Sequence, residues 1–158
     1  MEKSIYVILD NIRSLYNIGA IFRSADAFGV KKIYLCGISG NPIERQMNKI
    51  GKTALGAEKS VPWEYCRQTS RLVKKLKEEG LEIVALEIGV GQRRALPLQK
   101  FKPTLPIALI VGNEVTGISK KILKLADKIV YIPMRGRKES LNVAIAASIA
   151  IYQIKKVL

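Results

Sequence analysis

The fold is decided by residues 106–119, which read PIALIVGNEVTGIS. The run Pro106–Val111 has no charged side chain and predicts a fully buried strand, because strands of a parallel sheet covered by helices on both faces are continuously apolar. The next segment, Gly112–Gly117, has a glycine at each end, and glycine allows the close backbone approach that a cofactor site needs. Open α/β folds bind ligands at this carboxyl end of their strands. A plain strand-to-helix turn, with Ser119 as the helix cap, is the alternative interpretation.

Apolar runs of strand length alternate with segments of helix length along the rest of the chain. This alternation predicts one α/β domain over residues 1–158, with a mostly parallel sheet and helices on both of its faces. The predicted strands are 5–9, 32–35, 81–86, 106–111 and 128–132. The predicted helices are about 17–28, 42–50, 67–79, a helix from 119, and 141 to the end, with loops at 52–59 and 133–139.

The chain is strongly basic. Its 158 residues include 27 Lys and Arg against 13 Asp and Glu, a net charge of +14. Such an excess favours a polyanionic partner, because each neutralised phosphate releases counterions and adds affinity. On the predicted helix 67–79, four cations share one face through their i, i+4, i+7 and i+8 spacing, although a solvated helix face explains any single one of them. These four are Arg67, Arg71, Lys74 and Lys75.

The residue types that are missing exclude several kinds of chemistry. The chain has no histidine, which excludes histidine-based triads, the common zinc sites and the usual general base at neutral pH, so no metal is predicted. Cys36 and Cys66 are isolated thiols; a reduced cytosolic pair is the default, and a disulfide stays open. Without a secretory signal or an apolar run of membrane-spanning length, the sequence predicts a cytoplasmic protein with no membrane partner.

A second motif, NIGAIFRSADAFG, lies at residues 17–29. Its apolar residues form one stripe at helical spacing, and Arg23 falls almost opposite that stripe, so we expect its side chain to point away from the core. Taken alone, the motif is explained as well by a solvated arginine on an ordinary helix with Asn17 and Gly29 as its caps.

A third motif, IPMRGRKESLNVA, lies at residues 132–144. Its proline ends the preceding strand, and three cations follow within four residues. Ser140 and Asn142 then stand at the start of the last helix, where free N–H groups favour anions, although Ser and Asn in this position are usually caps. The last helix is apolar almost all round, which predicts that it is buried in the fold, covered by another subunit, or both.

In this order and spacing, the three motifs resemble those of the SpoU/TrmH-like RNA 2′-O-ribose methyltransferases of the SPOUT superfamily. The resemblance covers nearly the whole chain, in the form of a bare catalytic domain. It implies a SPOUT fold whose C-terminal region, approximately residues 106–152, forms a deep trefoil knot. It also implies a homodimer that buries the knot and the C-terminal helix, S-adenosyl-L-methionine (AdoMet) as the methyl donor, and tRNA or rRNA as the substrate.

The resemblance assigns roles to individual residues. An in-line attack by a ribose 2′-oxygen requires alignment, removal of the hydroxyl proton and stabilisation of the alkoxide. Because a guanidinium stays protonated in proteins, we assign Arg23 to phosphate positioning and oxyanion stabilisation and leave the proton acceptor open. The implied catalytic residues are Arg23, Asn17, Glu114, Ser140 and Asn142. The implied AdoMet contacts are Leu109, Val111, Gly112, Asn113, Gly117, Ile132, Met134, Ser140, Leu141 and Asn142, and the implied RNA contacts are Arg23, Arg67, Arg71, Lys74, Lys75, Arg135 and Lys138.

Two other functions fit parts of the sequence. A non-catalytic RNA-binding module of the same knotted fold would share the basic surface, but the intact set of Arg23, Glu114, Ser140 and Asn142 weighs against it. A small-nucleotide or flavodoxin-like binder would need a phosphate-binding loop, and the chain has neither a G-x-G-x-x-G nor a Walker A motif.

Overall fold

The computed structural model describes residues 3–88 and 94–157, which form a sheet with helices on both faces. The strands are β1 (Ile5–Asp10), β2 (Lys32–Cys36), β3 (Trp63–Cys66), β4 (Glu82–Glu87), β5 (Leu96–Pro97), β6 (Ile107–Gly112) and β7 (Lys128–Tyr131). The α-helices are α1 (Leu15–Ala27), α2 (Glu44–Ala54), α3 (Ala57–Ser60), α4 (Thr69–Glu78), α5 (Lys120–Leu125) and α6 (Val143–Lys156).

All strand pairs in the sheet are parallel, and the strand order is β3-β2-β1-β6-β4-β7-β5. The first strand lies inside the sheet, with Ile8 opposite Tyr34 of β2 on one side and opposite Ile110 of β6 on the other. The parallel arrangement brings the carboxyl ends of all strands to one edge, where the loops that follow them can meet. The predicted α/β class with a mostly parallel sheet is confirmed.

Strand β6 shows why its sequence is continuously apolar. All six of its residues are buried, and successive side chains point to opposite faces of the sheet. Leu109 and Val111 pack in the core that α1, α2, α3 and α6 cover, whereas Ala108 and Ile110 pack in the core beneath α4 and α5. Both faces of this strand are therefore shielded from water, as the sequence predicts.

The structure corrects several predicted boundaries. Helix α1 begins at Leu15, before the predicted start at about residue 17. Its cap is Ser14, whose hydroxyl accepts the backbone N–H of Asn17 at 3.2 Å, and not Asn17. The predicted loop 52–59 instead contains the end of α2 and the start of α3, and α4 begins two residues after Arg67. Strands β3 and β5 were not predicted, since both are short and carry exposed residues.

Helix α6 is buried on one side only. Its alanines pack against the sheet, whereas Ile145, Ile149 and Tyr152 stay 54%, 40% and 54% exposed. Burial in the fold thus accounts for one side of the helix, and coverage of the other side by a second subunit stays a prediction. Within the described parts of the chain, none of the helices combines the length and apolar character needed to cross a membrane.

Candidate functional site

A cavity of about 300 Å³ lies at the carboxyl ends of β4 and β6. Its volume is at the lower limit of small-ligand pockets. Five separate segments contribute to its wall: the first turn of α1, the end of β4, the turn after β6, the loop after β7 and the start of α6. The lining residues are Asn17, Leu86, Glu87, Ile88, Gly112, Asn113, Glu114, Val115, Thr116, Gly117, Ser140, Leu141, Asn142 and Val143.

The turn after β6 is held in one shape by its own hydrogen bonds. The side-chain oxygen of Asn113 accepts the backbone N–H groups of Val115 and Thr116 at 2.9 and 3.0 Å. The backbone N–H of Gly117, which has a φ of +67°, returns to the carbonyl of Asn113 at 2.9 Å. A Cβ at Gly112 would lie 2.5 Å from Cγ1 of Ile118, so only glycine allows the turn to fold back this closely.

Glu114 ties this turn to the start of α1. Its Oε1 accepts the backbone N–H of Ser14 at 2.9 Å, and its Oε2 accepts that of Arg13 at 3.2 Å. Partial burial opposes ionisation, but these backbone donors, its own backbone N–H and the side chain of Asn17 outweigh it and hold the pKa of Glu114 below its ordinary value. The carboxylate is therefore ionised at neutral pH and already engaged as an acceptor.

Asn142 ties the third motif to the first. Its Oδ1 caps α6 by accepting the N–H groups of Ala144 and Ile145 at 2.9 and 3.2 Å, and its Nδ2 donates to Oδ1 of Asn17 at 3.1 Å. The cap fixes the side-chain rotamer, and the second bond uses one of the two N–H donors of the amide to hold α1 beside α6. Asn17 thus touches both of the other motifs, one through Asn142 and one through Glu114.

Two acidic residues, Glu87 and Glu114, line the cavity, and none of the lining residues that the structure describes is a lysine or an arginine. Both side-chain oxygens of Glu114 accept backbone N–H groups, and Glu87 also interacts within the protein. The described lining is therefore acidic, in a chain whose net charge is +14.

The cavity brings together four of the five predicted catalytic residues: Asn17, Glu114, Ser140 and Asn142. Arg23 is exposed, as expected, but it does not line this cavity. The reason is the pitch of the helix: six residues after Asn17, the side chain projects from a different side of α1 and about 9 Å further along its axis.

The predicted cofactor residues divide into two groups. Leu109 and Val111 are fully buried in the core, so only their backbone can face a ligand, and the half-buried Ile132 and Met134 do not line the cavity either. Those that do line it are Gly112, Asn113, Gly117, Ser140, Leu141 and Asn142.

Sequence reasoning missed the wall formed by the end of β4. Leu86, Glu87 and Ile88 line the cavity because β4 pairs with β6, although 19 residues lie between Glu87 and Ile107 in the sequence. No motif marks this strand, and sheet order is not readable from the chain. The sequence analysis also missed Val115, Thr116 and Val143. They lie next to predicted site residues in the sequence, so their position could have identified them.

The four predicted cations of α4 and its preceding turn line one groove. This basic groove, of about 710 Å³, runs between α4 and the edge strand β3 and also contains the carboxylates of Glu64 and Glu78. Glu64 is paired with Lys32 at 2.7 Å, which leaves the cations in excess. Arg135 and Lys138 are exposed on the loop after β7, outside this groove. The groove is lined by Arg67, Arg71, Lys74 and Lys75 together with Glu64, Cys66, Gln68, Leu72 and Glu78.

The two cysteines are free thiols opposite each other on β2 and β3. Burial raises the pKa of Cys36, and partial burial together with the charge of Glu64 raises the pKa of Cys66. Both thiols are therefore poor nucleophiles at neutral pH. Over residues 3–88 and 94–157, no three Cys, Asp or Glu residues gather in a way that could hold a metal ion.

Comparison with known proteins connects these features to one family. Residues 4–152 match the SpoU rRNA Methylase family. The tRNA (guanosine(18)-2′-O)-methyltransferase of Aquifex aeolicus is 33% identical, over 98% of this chain and 70% of the relative. The 23S rRNA (guanosine-2′-O-)-methyltransferase of Coxiella burnetii is 31% identical, over 97% of this chain and 58% of the relative.

Solved structures agree with the sequence comparisons. An AdoMet-bound rRNA methyltransferase from Sinorhizobium meliloti superposes with a TM-score of 0.89 at 27% identity, over all of this chain and 58% of the other. The TrmH/SpoU tRNA-modifying enzyme of A. aeolicus gives a TM-score of 0.86 at 30% identity, over 99% of this chain and 76% of the other. A family match over residues 4–152 and these two superpositions lead to one conclusion: the chain belongs to the SpoU rRNA Methylase family.

Proposed function

We propose that this protein transfers a methyl group from AdoMet to a ribose 2′-hydroxyl of tRNA or rRNA. One observation carries the proposal: three motifs far apart in the sequence meet at a single cavity, which Asn17, Glu114 and Asn142 line together. The names of relatives as tRNA and rRNA 2′-O-methyltransferases support the reaction, and AdoMet in solved relatives supports the methyl donor.

The residues that line the cavity support AdoMet as the ligand. At neutral pH this ligand carries a sulfonium and an ammonium against one carboxylate, so its net charge is positive, and the lining that the structure describes contains Glu87 and Glu114 but no lysine or arginine. The glycines at both ends of the turn after β6 allow close backbone approach. We propose that Gly112, Asn113 and Gly117 hold the ligand from one side and Ser140, Leu141 and Asn142 from the other, with backbone contacts from Leu109, Val111, Ile132 and Met134.

The side chains of the chain itself have separate tasks in this reaction. AdoMet, when bound, supplies a methyl group already activated for transfer. Ser140 and Asn142, at the start of α6, can orient the attacking ribose by hydrogen bonds, and alignment of this kind lowers the barrier. Glu114 holds two backbone amides and therefore acts as a positioning residue that fixes the turn against α1, and Asn17 extends the same chain of hydrogen bonds to α6.

We further propose that the protein is a homodimer formed through α6 and the adjoining face of α1. The exposed Ile145, Ile149 and Tyr152 of α6 form an apolar surface, and Tyr16 of α1, 48% exposed, extends it. Contiguous exposed apolar surface of this kind marks protein contacts. Two copies related by a two-fold axis would cover both surfaces at once.

This dimer would bring Arg23 to the reaction. Arg23 follows Tyr16 by seven residues and Ala20 by three, so all three lie on one stripe of α1, in which Tyr16 and Arg23 are exposed and Ala20 is half-buried. Tyr16 and Ala20 border a shallow depression that shares Asn17 and Asn142 with the cavity. We therefore propose that Arg23 of the partner subunit faces the cavity, where it binds the RNA phosphate and stabilises the developing alkoxide.

Mixed dimers test this assignment. Arg23→Ala and Asn142→Ala homodimers should each be inactive. When the two are co-expressed in equal amounts, half of the dimers are mixed and one of their two sites is intact, so about a quarter of the wild-type activity should return. If Arg23 acts within its own chain, no site in a mixed dimer is intact, and the absence of recovery would contradict the proposal.

The remaining features of the proposal concern the RNA and the chain. Arg67, Arg71, Lys74, Lys75, Arg135 and Lys138 would supply affinity for the RNA backbone, so binding should weaken steeply with added salt. We propose that residues 1–158 act as one domain, with a trefoil knot at approximately 106–152, which would keep the two loops that line the cavity together. Because tRNA and rRNA are the proposed substrates, we place the protein in the cytoplasm.

Two measurements separate the proposed enzyme from a non-catalytic RNA-binding module. Calorimetry with AdoMet should show binding to the purified protein, and binding should be lost in Gly112→Ala. Tritium transfer from methyl-labelled AdoMet to total tRNA and rRNA should be detectable and should vanish in Arg23→Ala, with AdoMet affinity unchanged. RNA binding without AdoMet binding and without transfer would favour the module.

A further inference from the structure

A second cavity, also of about 300 Å³, opens at the carboxyl ends of β1 and β2. It lies under α4 and α5, on the face of the sheet opposite α1 and α6, and among its described lining residues Ser119 alone belongs to the three motifs. Two cations, Arg67 and Lys121, line it, together with hydroxyl and amide side chains. The lining residues are Asp10, Asn11, Gly37, Arg67, Gln68, Thr69, Ser70, Ser119, Lys121 and Ile122.

The carboxylate of Asp10 is buried and hydrogen-bonded, whereas the two cations of this cavity are exposed. Asp10 is only 4% exposed, and its Oδ1 accepts the hydroxyl of Thr69 and the side-chain amide of Asn11. A ligand that enters the cavity therefore meets the exposed Lys121 and Arg67 first.

This second cavity connects the two sites already described. Arg67 and Gln68 line both the second cavity and the basic groove, so the two adjoin at these side chains. On its other side, Asn11 lines the second cavity and its carbonyl accepts Nδ2 of Asn113, which lines the first cavity, at 2.8 Å. One hydrogen-bonded pair of residues is thus the wall between the first and second cavities.

From this arrangement we infer that an unpaired RNA strand runs along the carboxyl edge of the sheet, from the first cavity over the Asn11–Asn113 wall, through the second cavity, into the basic groove. The inference rests on the proposed function for the identity of the polyanion. The path passes from one face of the sheet to the other, which a strand released from base pairing can follow and a stiff duplex cannot.

The path predicts a specific loss of affinity. Each phosphate contact with a single strand contributes about 0.7 to the slope of log K against log salt, which corresponds to about five-fold in affinity at 0.1 M salt. Lys121→Ala should therefore weaken RNA binding about five-fold and reduce the salt slope by about 0.7. Arg71→Ala combined with Lys74→Ala, in the basic groove, should weaken it about 25-fold.

Fluorescence anisotropy with a labelled single-stranded RNA oligonucleotide, without AdoMet, tests the path. Lys102→Ala is the matched control, because Lys102 is exposed at the opposite, amino-terminal edge of the sheet just before β6. The control should change the dissociation constant less than two-fold. A fully paired RNA duplex of the same length should bind more weakly than the single strand.

The outcomes distinguish this inference from the proposed function. Equal losses in Lys121→Ala and Lys102→Ala, or tighter binding of the duplex, would overturn the path even if methyl transfer is normal. If the variants lose RNA affinity as expected but the protein neither binds AdoMet nor transfers methyl groups, the RNA path is supported and the proposed methyltransferase function is refuted.

Discussion

Replacement of Glu114 by glutamine tests the hydrogen-bonded joint between the turn after β6 and helix α1. The carboxylate accepts two backbone amides, those of Ser14 and Arg13, at 2.9 and 3.2 Å. Glutamine keeps one oxygen for one amide and presents an NH₂ group to the other, where two donors then face each other. Hydrogen bonds to a charged group contribute roughly 1.5–3 kcal/mol when buried, and this pair is partly exposed, so we expect a loss of about 1–2 kcal/mol.

The loss should depend on pH in a defined direction. The folded-state pKa of Glu114 lies below the ordinary value of 4.5, so its contribution is complete above pH 4.5 and disappears as the pH falls through the folded-state pKa. The stability of wild type and Glu114→Gln should therefore differ by the same amount between pH 6 and pH 8 and converge under acid conditions.

Urea denaturation followed by circular dichroism measures this difference. With a slope of about 2 kcal/mol per molar urea, the midpoint of Glu114→Gln should shift downward by about 0.5–1 M at pH 7. Glu139→Gln, which removes the same charge from an exposed loop position, is the control and should shift little. Equal midpoints for Glu114→Gln and wild type at pH 7, or a difference that persists in acid, would refute the claim that the ionised carboxylate of Glu114 stabilises the contact between this turn and α1.

Three further predictions concern other parts of the structure. Gly112→Ala should abolish AdoMet binding in calorimetry while the chain stays folded, because a Cβ there would meet Ile118 at 2.5 Å; unchanged affinity would contradict the shape assigned to the turn. Burial raises the pKa of Asp10, so its charge costs stability at neutral pH, and this cost falls as the pH drops. Asp10→Asn should therefore raise the melting temperature at pH 8 more than at pH 5. A larger increase at pH 5 would contradict this prediction. Partial burial and Glu64 raise the pKa of Cys66, so Glu64→Gln should speed its alkylation by iodoacetamide at pH 8, measured by mass spectrometry; an unchanged rate would count against this cause.

Sequence patterns predicted the elements whose residues obey one simple rule. Strand β6 is apolar throughout because both of its faces are covered, and the basic face of α4 follows from helical spacing. Strand β3 was not predicted. It lies at the edge of the sheet, and its four residues are too few for an alternation of apolar and polar side chains to be detected. The cap of α1 was misplaced because Ser14 and Asn17 are both good caps, and only the folded backbone selects between them.

The candidate site was predictable where chemistry is local and not where it depends on topology. The turn after β6 and the start of α6 can be recognised in the sequence by their glycine, asparagine and serine residues. The wall from β4 depends on strand order, and Arg23 does not line the cavity of its own chain, so neither could be read from a contiguous segment.

The most direct test of the central claim is the chemical position of the transferred methyl group. The purified protein, incubated with methyl-labelled AdoMet and total tRNA and rRNA, should place the label on the ribose 2′-oxygen, found by mass spectrometry of nucleosides after complete digestion. Label on a base, or no label in any RNA, would contradict the account.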